Sequence, residues 1–521
     1  MSQLRATVRA APTGCVALLG LLLLTVCSHA YTPPAVSDFG DGDGASSQDP
    51  FGRAARIYLP LAEALDVQNG YPRSITNGST WMPGSSRNWT SGFFSGVLWQ
   101  LYERTGDDAF RMQAETWMLA LANESTNPTH DVGFIINSSF GRGYRLTGDP
   151  WYRDVLLEAA QHLATRYDPE VRAIRSWGEM RQFAFPVAVD GMMNIELLFW
   201  AAKNGGDPAL ADIAWQHART TMLDHVRPDG STYHVVDYDP VSGATLWKGT
   251  VQGLSDTSMW ARGQAWAIYG FSMATRETGD ATFLWTAEKT ADAFLDGLPD
   301  DPIPFWDFDA ASIPGEPRDA SAAAIAASGL WELSTLTGDP AKRSRYRTAS
   351  YSLVERLCAG DCSAEGVGMP ALLDHSTGNR PLGAEVDVPV IYAEYYFLEA
   401  LARQRPRSAV PVAMRDAARR GETEGEAGEE SATLGVASNP FRPPVEFHPV
   451  LPEGGPATVR VYDPGGRLVR RLPLPSLDAG RESVVVWDGN DDRGRRVAPG
   501  VYLVRLAARG SEVVRKVVLL R

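Results

Sequence analysis

The chain has 521 residues, 44% of them hydrophobic, and a formal net charge of −14. That length accommodates one large domain and a small one. The acidic balance, with no basic run to neutralise phosphates, excludes a nucleic-acid partner, but leaves room for a small anionic substrate held by a few local Arg or His side chains.

The first thirty residues read as a secretory signal peptide. Arg5 and Arg9 precede an apolar run from Val16 to Val26, and Ser28-His29-Ala30 is a small-x-small cleavage pattern. The run is too short to span a membrane, and no other stretch has the length of a transmembrane helix. An exported chain without a membrane span is expected, whether periplasmic, cell-surface or extracellular. Residues 31–50 read as a flexible linker: DFGDGDGASSQDP has the alternating Asp of a calcium loop but lacks its closing Glu.

From 51 to 405 one scheme recurs. An amphipathic helix ends in Gly-Asp and another follows, as in LYERTGDDAF, GYRLTGDPWY, AAKNGGDPAL, RETGDATFL and ELSTLTGDPAK. Gly stops one helix in a left-handed cap and Asp starts the next as an N-cap. Apolar residues at helical spacing fill the segments between, for example Val97, Leu98 and Leu101, then Phe110, Trp117 and Leu121. Repeated helical hairpins of this kind predict an all-α toroid, and strand-like runs are scarce. Cys358 and Cys362 have the spacing for a small disulfide in an oxidising compartment. No His cluster completes a metal set with them.

Residues 406–437 are charged, Gly-rich and free of aromatics, and read as a disordered linker. From 438 to 521 alternating runs around turn signals, ATVRVYDPGGRLVRRL and VVVWDGNDDRGRRVAPGVYLVRL, predict a small all-β sandwich. DGNDDRG resembles a metal loop but reads better as a hairpin turn.

The candidates for chemistry lie at helix starts and in the long connections. In FPVAVDGMMNIELLFW, Asp190 falls at the start of a helix that is apolar nearly all round, hence central. Local sequence favours a cap, and a cap and a helix dipole both favour the ionised carboxylate; acid catalysis there needs a second negative group to raise its pKa. Asp131 also precedes an apolar helical run, with Gly133 beside it to allow close approach. In a toroid the starts of alternate helices converge on one mouth, where paired carboxylates suit general acid/base work. In GLSDTSMWARGQAW, Arg262 and Trp266 share a helix face, with Trp260 turned away from them. Arg stacked on Trp suggests a sugar and carboxylate pocket, against the alternative of a Trp-rich core helix with a capped Arg. His234 and Gln252 lie in a long stretch between helices, and Trp89 in RNWTSGFFSG is a further candidate for the mouth. Single residues of these types are more often structural.

Taken together, WTSGFFSG at 89–96, HDVGF at 130–134, VDGMMN at 189–194, His234, VQGLSDTSMWARGQAW at 251–266, WDFDAASIPGEPRDASAAAIAASGL at 306–330 and EVDVPVIYAEYYFLEAL at 385–401 resemble the unsaturated glucuronyl hydrolases, glycoside hydrolase family 88. The resemblance covers residues 51–405 and implies an (α/α)6 barrel. It implies an oligosaccharide substrate ending in a 4,5-unsaturated uronic acid, Asp190 as acid/base, Asp131 in support, and Trp89, His234, Gln252, Trp260, Arg262 and Trp266 lining the pocket. It calls for no cofactor and no metal. Asp131 as an anion is expected to raise the pKa of Asp190. The stretch LLDHSTGNRPLGAEVD does not align securely, which leaves the outer subsites open. The tail from Asn439 resembles the Ig-like domain of flagellar hook-capping proteins, which implies contact with export machinery or a cell surface. Three other readings remain: an unsaturated rhamnogalacturonyl hydrolase, an inverting glycosidase on saturated sugars, and a non-catalytic carbohydrate-binding toroid.

Overall fold

The computed structural model describes residues 49–405 and 433–521, apart from 179–181, 360–361, 366–367, 438–440, 453, 464–467, 509–510 and 520–521. The expected signal peptide, nearly all of the first linker and most of the second lie outside the described residues.

The first part of the chain opens with α1 (Pro50–Ala64) and a hairpin of β1 (Tyr71–Ser74) and β2 (Met82–Gly84). Then come α2 (Ser91–Thr105), α3 (Asp108–Leu119), α4 (Val132–Ile136), α5 (Arg142–Thr147) and α6 (Pro150–Ala164). Short strands β3 (Tyr167–Asp168), β4 (Ala173–Ile174) and β5 (Pro186–Ala188) lead to α7 (Gly191–Asn194), α8 (Glu196–Lys203) and α9 (Ala209–Asp224). After β6 (Val235–Tyr238) and β7 (Thr245–Gly249) come α10 (Ala261–Thr278), α11 (Ala281–Asp296), α12 (Ala320–Leu336) and α13 (Pro340–Ala359). A last hairpin, β8 (Ser376–Asn379) and β9 (Ala384–Val388), precedes α14 (Ile391–Gln404).

The Gly-Asp junctions behave as their chemistry requires. Gly106, Gly148 and Gly279 end α2, α5 and α10 with φ of 73°, 68° and 70°, and Asp107, Asp149 and Asp280 then accept from the second backbone N–H of the following helix. Each junction reverses the chain, so helices alternate in direction. One set packs as a closed ring, α2 to α4, α7, α10, α12, α14 and back to α2, and the other set lies outside it. The ring helices α2, α10, α12 and α14 are buried on almost every side, whereas α1, α3, α6, α9, α11 and α13 bury one face. This is the α/α barrel that the helical repeat predicts.

The scarce strands sit in the connections: β5, β6 and β7 form a three-stranded antiparallel sheet, pairing Ala188 with Val235 and Val235 with Gly249. Cys358 lies within α13 and Cys362 beyond its end, and no disulfide joins them; burial pushes the Cys358 thiol up to about 11.

The second part contains β10 (Thr433–Val436), β11 (Val445–Val450), β12 (Gly455–Tyr462), β13 (Leu468–Leu477), β14 (Val485–Trp487), β15 (Gly500–Ala508) and β16 (Ser511–Leu519). They form a three-stranded sheet, β10-β11-β14, and a four-stranded sheet, β13-β12-β15-β16, around Phe447, Val459, Val461, Trp487, Val504 and Leu506. β10 falls in the stretch expected to be linker; its Leu434 is buried between exposed neighbours, enough to add an edge strand. In DGNDDRG, Asp488 accepts from Asn490 N–H, and Asp491 accepts from Arg493 and Arg495 N–H. These carboxylates close turns.

Candidate active site

The ring helices all begin at one end of the barrel, and the sequence-predicted residues gather there. Asp190 follows β5 after a single residue, and His234 immediately precedes β6. Val189 N–H donates to the His234 carbonyl at 2.9 Å, so one strand ladder sets acid and imidazole side by side. Asp131 stands at the start of α4. A Cβ on Gly133 would lie 2.6 Å from Asn194 Cα, so only glycine lets α4 and α7 approach this closely. Asn194 Oδ1 then accepts from Phe134 N–H at 2.8 Å and locks the contact.

Both aspartates occupy the N-cap position, yet neither side chain caps its helix. A tertiary contact has taken them instead. His130 Nε2 lies 3.3 Å from Asp131 Oδ1 and 3.4 Å from Asp190 Oδ1, and the imidazole is 2% exposed. The two carboxylates keep 17% and 20% exposure, so both remain open to solvent beside one imidazole. Asp131 Oδ2 also accepts from Thr129 Oγ1 at 3.0 Å.

The electrostatics differ from the expectation. It is Asp131 whose pKa is raised, by burial first and by the Asp190 charge, against the pull of His130. Asp190 is held below the usual range: burial opposes this, but the hydrogen bond and charge of His130 outweigh it, with help from Arg262. His130 itself is raised, because the two carboxylates overcome its burial. The expected effect of Asp131 on Asp190 is thus cancelled by the imidazole between them.

His234 is the opposite case. Burial pushes its pKa down to about 3, so the ring is neutral. Nδ1 accepts from Val251 N–H at 3.3 Å, which puts the proton on Nε2. That buried donor has no hydrogen-bond partner among the described residues. The ring stacks on Trp260 with centroids 4.4 Å apart and an interplanar angle of 35°. Trp177 stands edge-on to both His130 and His234, at 6.1 and 6.2 Å.

Arg262 does not stack on Trp266. Its guanidinium covers Trp260 at 4.6 Å, because Trp260 folds back over the first turn of α10. Its donors are consumed by the Thr377 carbonyl, by Gly378 O at 2.5 Å, by Asp319 Oδ2 at 3.3 Å and by Gln252 Oε1 at 3.1 Å. Arg262 therefore anchors the β8 backbone and orients Gln252, and its fork is not open to a ligand carboxylate. Since Arg only donates, Gln252 turns its oxygen inward and its amide N–H groups away from Arg262. Trp266 is 1% exposed and packs on Phe134 and Tyr396 at 5.2 and 5.3 Å; it is core beneath the site. Trp89 is half-buried against Tyr392, 4.7 Å away, and Phe134.

Sequence reasoning overlooked His130 and Trp177. His130 had a signal, its place beside Asp131 in HDVGF; Trp177 had none beyond its residue type.

A Glycosyl Hydrolase Family 88 model matches residues 67–292, and a FlgD Ig-like domain model matches 444–512. The unsaturated glucuronyl hydrolase of Formosa agariphila is 43% identical over 343 residues, 65% of this chain and 85% of the relative. The chain belongs to the unsaturated glucuronyl hydrolases, glycoside hydrolase family 88. Among solved structures, an unsaturated glucuronyl hydrolase specific for heparin superposes with a TM-score of 0.66 at 39% identity, over 70% of this chain and 98% of that one. The enzyme of Bacillus sp. GL1, responsible for the degradation of glycosaminoglycan, gives 0.64 at 32% identity, over 68% and 97%. Members of this family release a 4,5-unsaturated glucuronic acid from the end of an oligosaccharide.

Proposed function

We propose that Asp190 is the general acid/base of this family 88 glycosidase, with Asp131 in support, and that hydrolysis proceeds by hydration of the unsaturated sugar's enol ether. C4 of a 4,5-unsaturated uronate is its nucleophilic carbon. Protonated Asp190 donates to C4: the O–H bond breaks, a C–H bond forms, and positive charge is shared between C5 and the ring oxygen. Water adds at C5 and returns its proton to Asp190. The resulting hemiketal opens and frees the neighbouring sugar. The Asp131 carboxylate stabilises the cationic stage.

In the empty site Asp190 is an anion. A bound uronate brings its own negative charge and displaces water, and both effects raise the Asp190 pKa toward the acid form. The N–H groups of Gln252 that face away from Arg262 supply donors for the sugar's carboxylate or hydroxyls. Trp177 and Trp89 provide flat apolar faces.

The observation that carries this reading is that both carboxylates meet at one imidazole, partly exposed and released from capping. The same geometry disfavours inverting hydrolysis of a saturated sugar. That mechanism needs water between two carboxyl groups, and here the His130 ring occupies the gap. The substrate class follows the relatives: oligosaccharides left by lyases acting on glycosaminoglycans, heparin among them.

The test is a panel of lyase-generated disaccharides, followed by loss of the ultraviolet absorbance of the conjugated uronate. Asp190→Asn is expected to fold normally and lose on the order of 10²–10⁴ in kcat. Retained turnover, or turnover of saturated sugars, would defeat the reading. Export is proposed from the pattern of residues 1–30, and surface or secretion contact from the Ig-like tail; cell fractionation with and without residues 438–521 tests both.

A further inference from the structure

The mechanism above requires a proton on Asp190, yet its surroundings hold Asp190 ionised. The source of that proton lies in the geometry. His130 Nε2 is nearly equidistant from the two carboxylates, at 3.3 and 3.4 Å, and the ring is shut off from solvent. We propose that His130 is an imidazolium that stores the proton of the carboxylate pair and loads Asp190 through Nε2 when substrate binds. His130 acts through Asp190 and is a positioning residue. The inference rests on the acid/base role of Asp190.

The groups facing His130 come from several elements. Asp131 is its chain neighbour and Asp190 lies at the start of α7. Arg166 follows α6, His217 belongs to α9, and His234 precedes β6. His217 and His234 are both pushed down to about 3, chiefly by burial, and are neutral, so two anions face His130 against the one cation of Arg166. Its Nδ1 is buried without a partner among the described residues. That opposes a charge on the ring, but a single unmade hydrogen bond weighs less than two anions in contact with it.

The proton balance closes. A uronate entering the cavity adds a negative charge beside Asp190. The Nε2–H bond of His130 breaks, an O–H bond forms on Asp190, and the imidazole becomes neutral. Asp190 then gives that proton to C4, recovers one from the attacking water, and returns it to Nε2. No outside acid is consumed.

His130→Gln keeps an amide N–H near the position of Nε2 but cannot titrate. In the native enzyme kcat/KM is expected to fall as pH rises through the His130 pKa, which lies above the ordinary value. In the variant the proton must reside on the carboxyl pair alone, so this alkaline limb moves toward acid by at least one pH unit. Activity at pH 8 then drops at least about tenfold, one decade per unit, while activity at pH 5 stays within about threefold. A limb that stays in place, whether activity is unchanged or falls equally at every pH, overturns the proposal. Should the variant not fold, imidazole ¹⁵N spectra of the intact native protein decide: both His130 nitrogens are expected to carry protons at pH 7, and a neutral ring overturns it. An active Asp190→Asn sinks the acid/base reading itself; an inactive one with an unmoved His130→Gln limb sinks only the proton store.

Discussion

At the scale of single residues, the site depends on side chains whose partners are chosen by distant parts of the chain. Arg262 shows this most clearly. Its fork binds two β8 carbonyls, the N-cap Asp319 and Gln252, and a planar five-donor group is the one side chain that can do so at once. Arg262→Lys keeps the charge but loses the fork. It is expected to free Gln252 and raise KM by about tenfold or more, equivalent to ~1.4 kcal/mol, with a smaller effect on kcat. Steady-state kinetics on an unsaturated disaccharide checks this, and a change confined to kcat would contradict the assignment.

At the scale of elements, short α7 is wedged between two ring helices by glycines. Gly133 of α4 meets Asn194 backbone, and a Cβ on Gly270 of α10 would come within 2.4 Å of Met192 Cβ. Gly133→Ala must push α4 away from α7 and separate Asp190 from His130 and Asp131. Loss of about 10² in kcat/KM is expected, since a misplacement near 1 Å is worth that much, and a crystal structure of the variant would show the separation. Helix α14 makes the second element-scale case. Its buried Glu394 accepts from Tyr58 Oη at 2.7 Å, Leu372 N–H at 2.9 Å and Leu373 N–H at 2.9 Å, tying α1 and the approach to β8 together. Burial raises its pKa to about 7 despite those donors. For an acid whose folded pKa exceeds its unfolded value, the unfolded chain releases its proton first. Stability from this group therefore falls as pH rises from roughly 4.3 to 7, with a slope approaching about 1.4 kcal/mol per pH unit. Glu394→Gln is expected to flatten that part of a stability–pH curve measured by denaturant unfolding.

At the scale of the whole barrel, the end opposite the site is closed by charge. Glu103 of α2 pairs with Arg145 of α5 at 2.5 Å, Arg142 of α5 with Glu399 of α14 at 2.5 Å, and Arg403 of α14 with Glu332 of α12 at 2.6 Å. Arg276 of α10 then joins Glu332 and Glu196 of α8, each at 2.5 Å. Asn137, directly after α4, bonds Glu196 at 3.3 Å. These pairs tie α2, α5, α8, α10, α12 and α14 together at that end. Glu332→Leu removes the anion shared by Arg276 and Arg403 but leaves Arg276 with Glu196 and Arg403 with Glu399, and is expected to destabilise the barrel by about 1–3 kcal/mol, read as a lower denaturant midpoint with little change in KM.

Much of this molecule is local chemistry and was legible from the chain. Gly-Asp pairs stop and start helices through their own backbone angles and side-chain oxygens. Alternation marks the sandwich, and a family's motifs stand in order from 89 to 401. These signals act within a few residues, so they need no knowledge of the fold. Other features come from contacts across long stretches of chain, as between His130 and Asp190, 60 residues apart. Asp190 and Asp131 stand where caps stand, and only the approach of α4 to α7 decides that they share an imidazole instead. The same holds for the neutral ring of His234, the turn of Trp260 over Arg262, and the burial of Trp266. Local sequence determined where the carboxylates begin their helices; tertiary packing decided what they touch, because burial and neighbouring charge are properties of the assembled barrel.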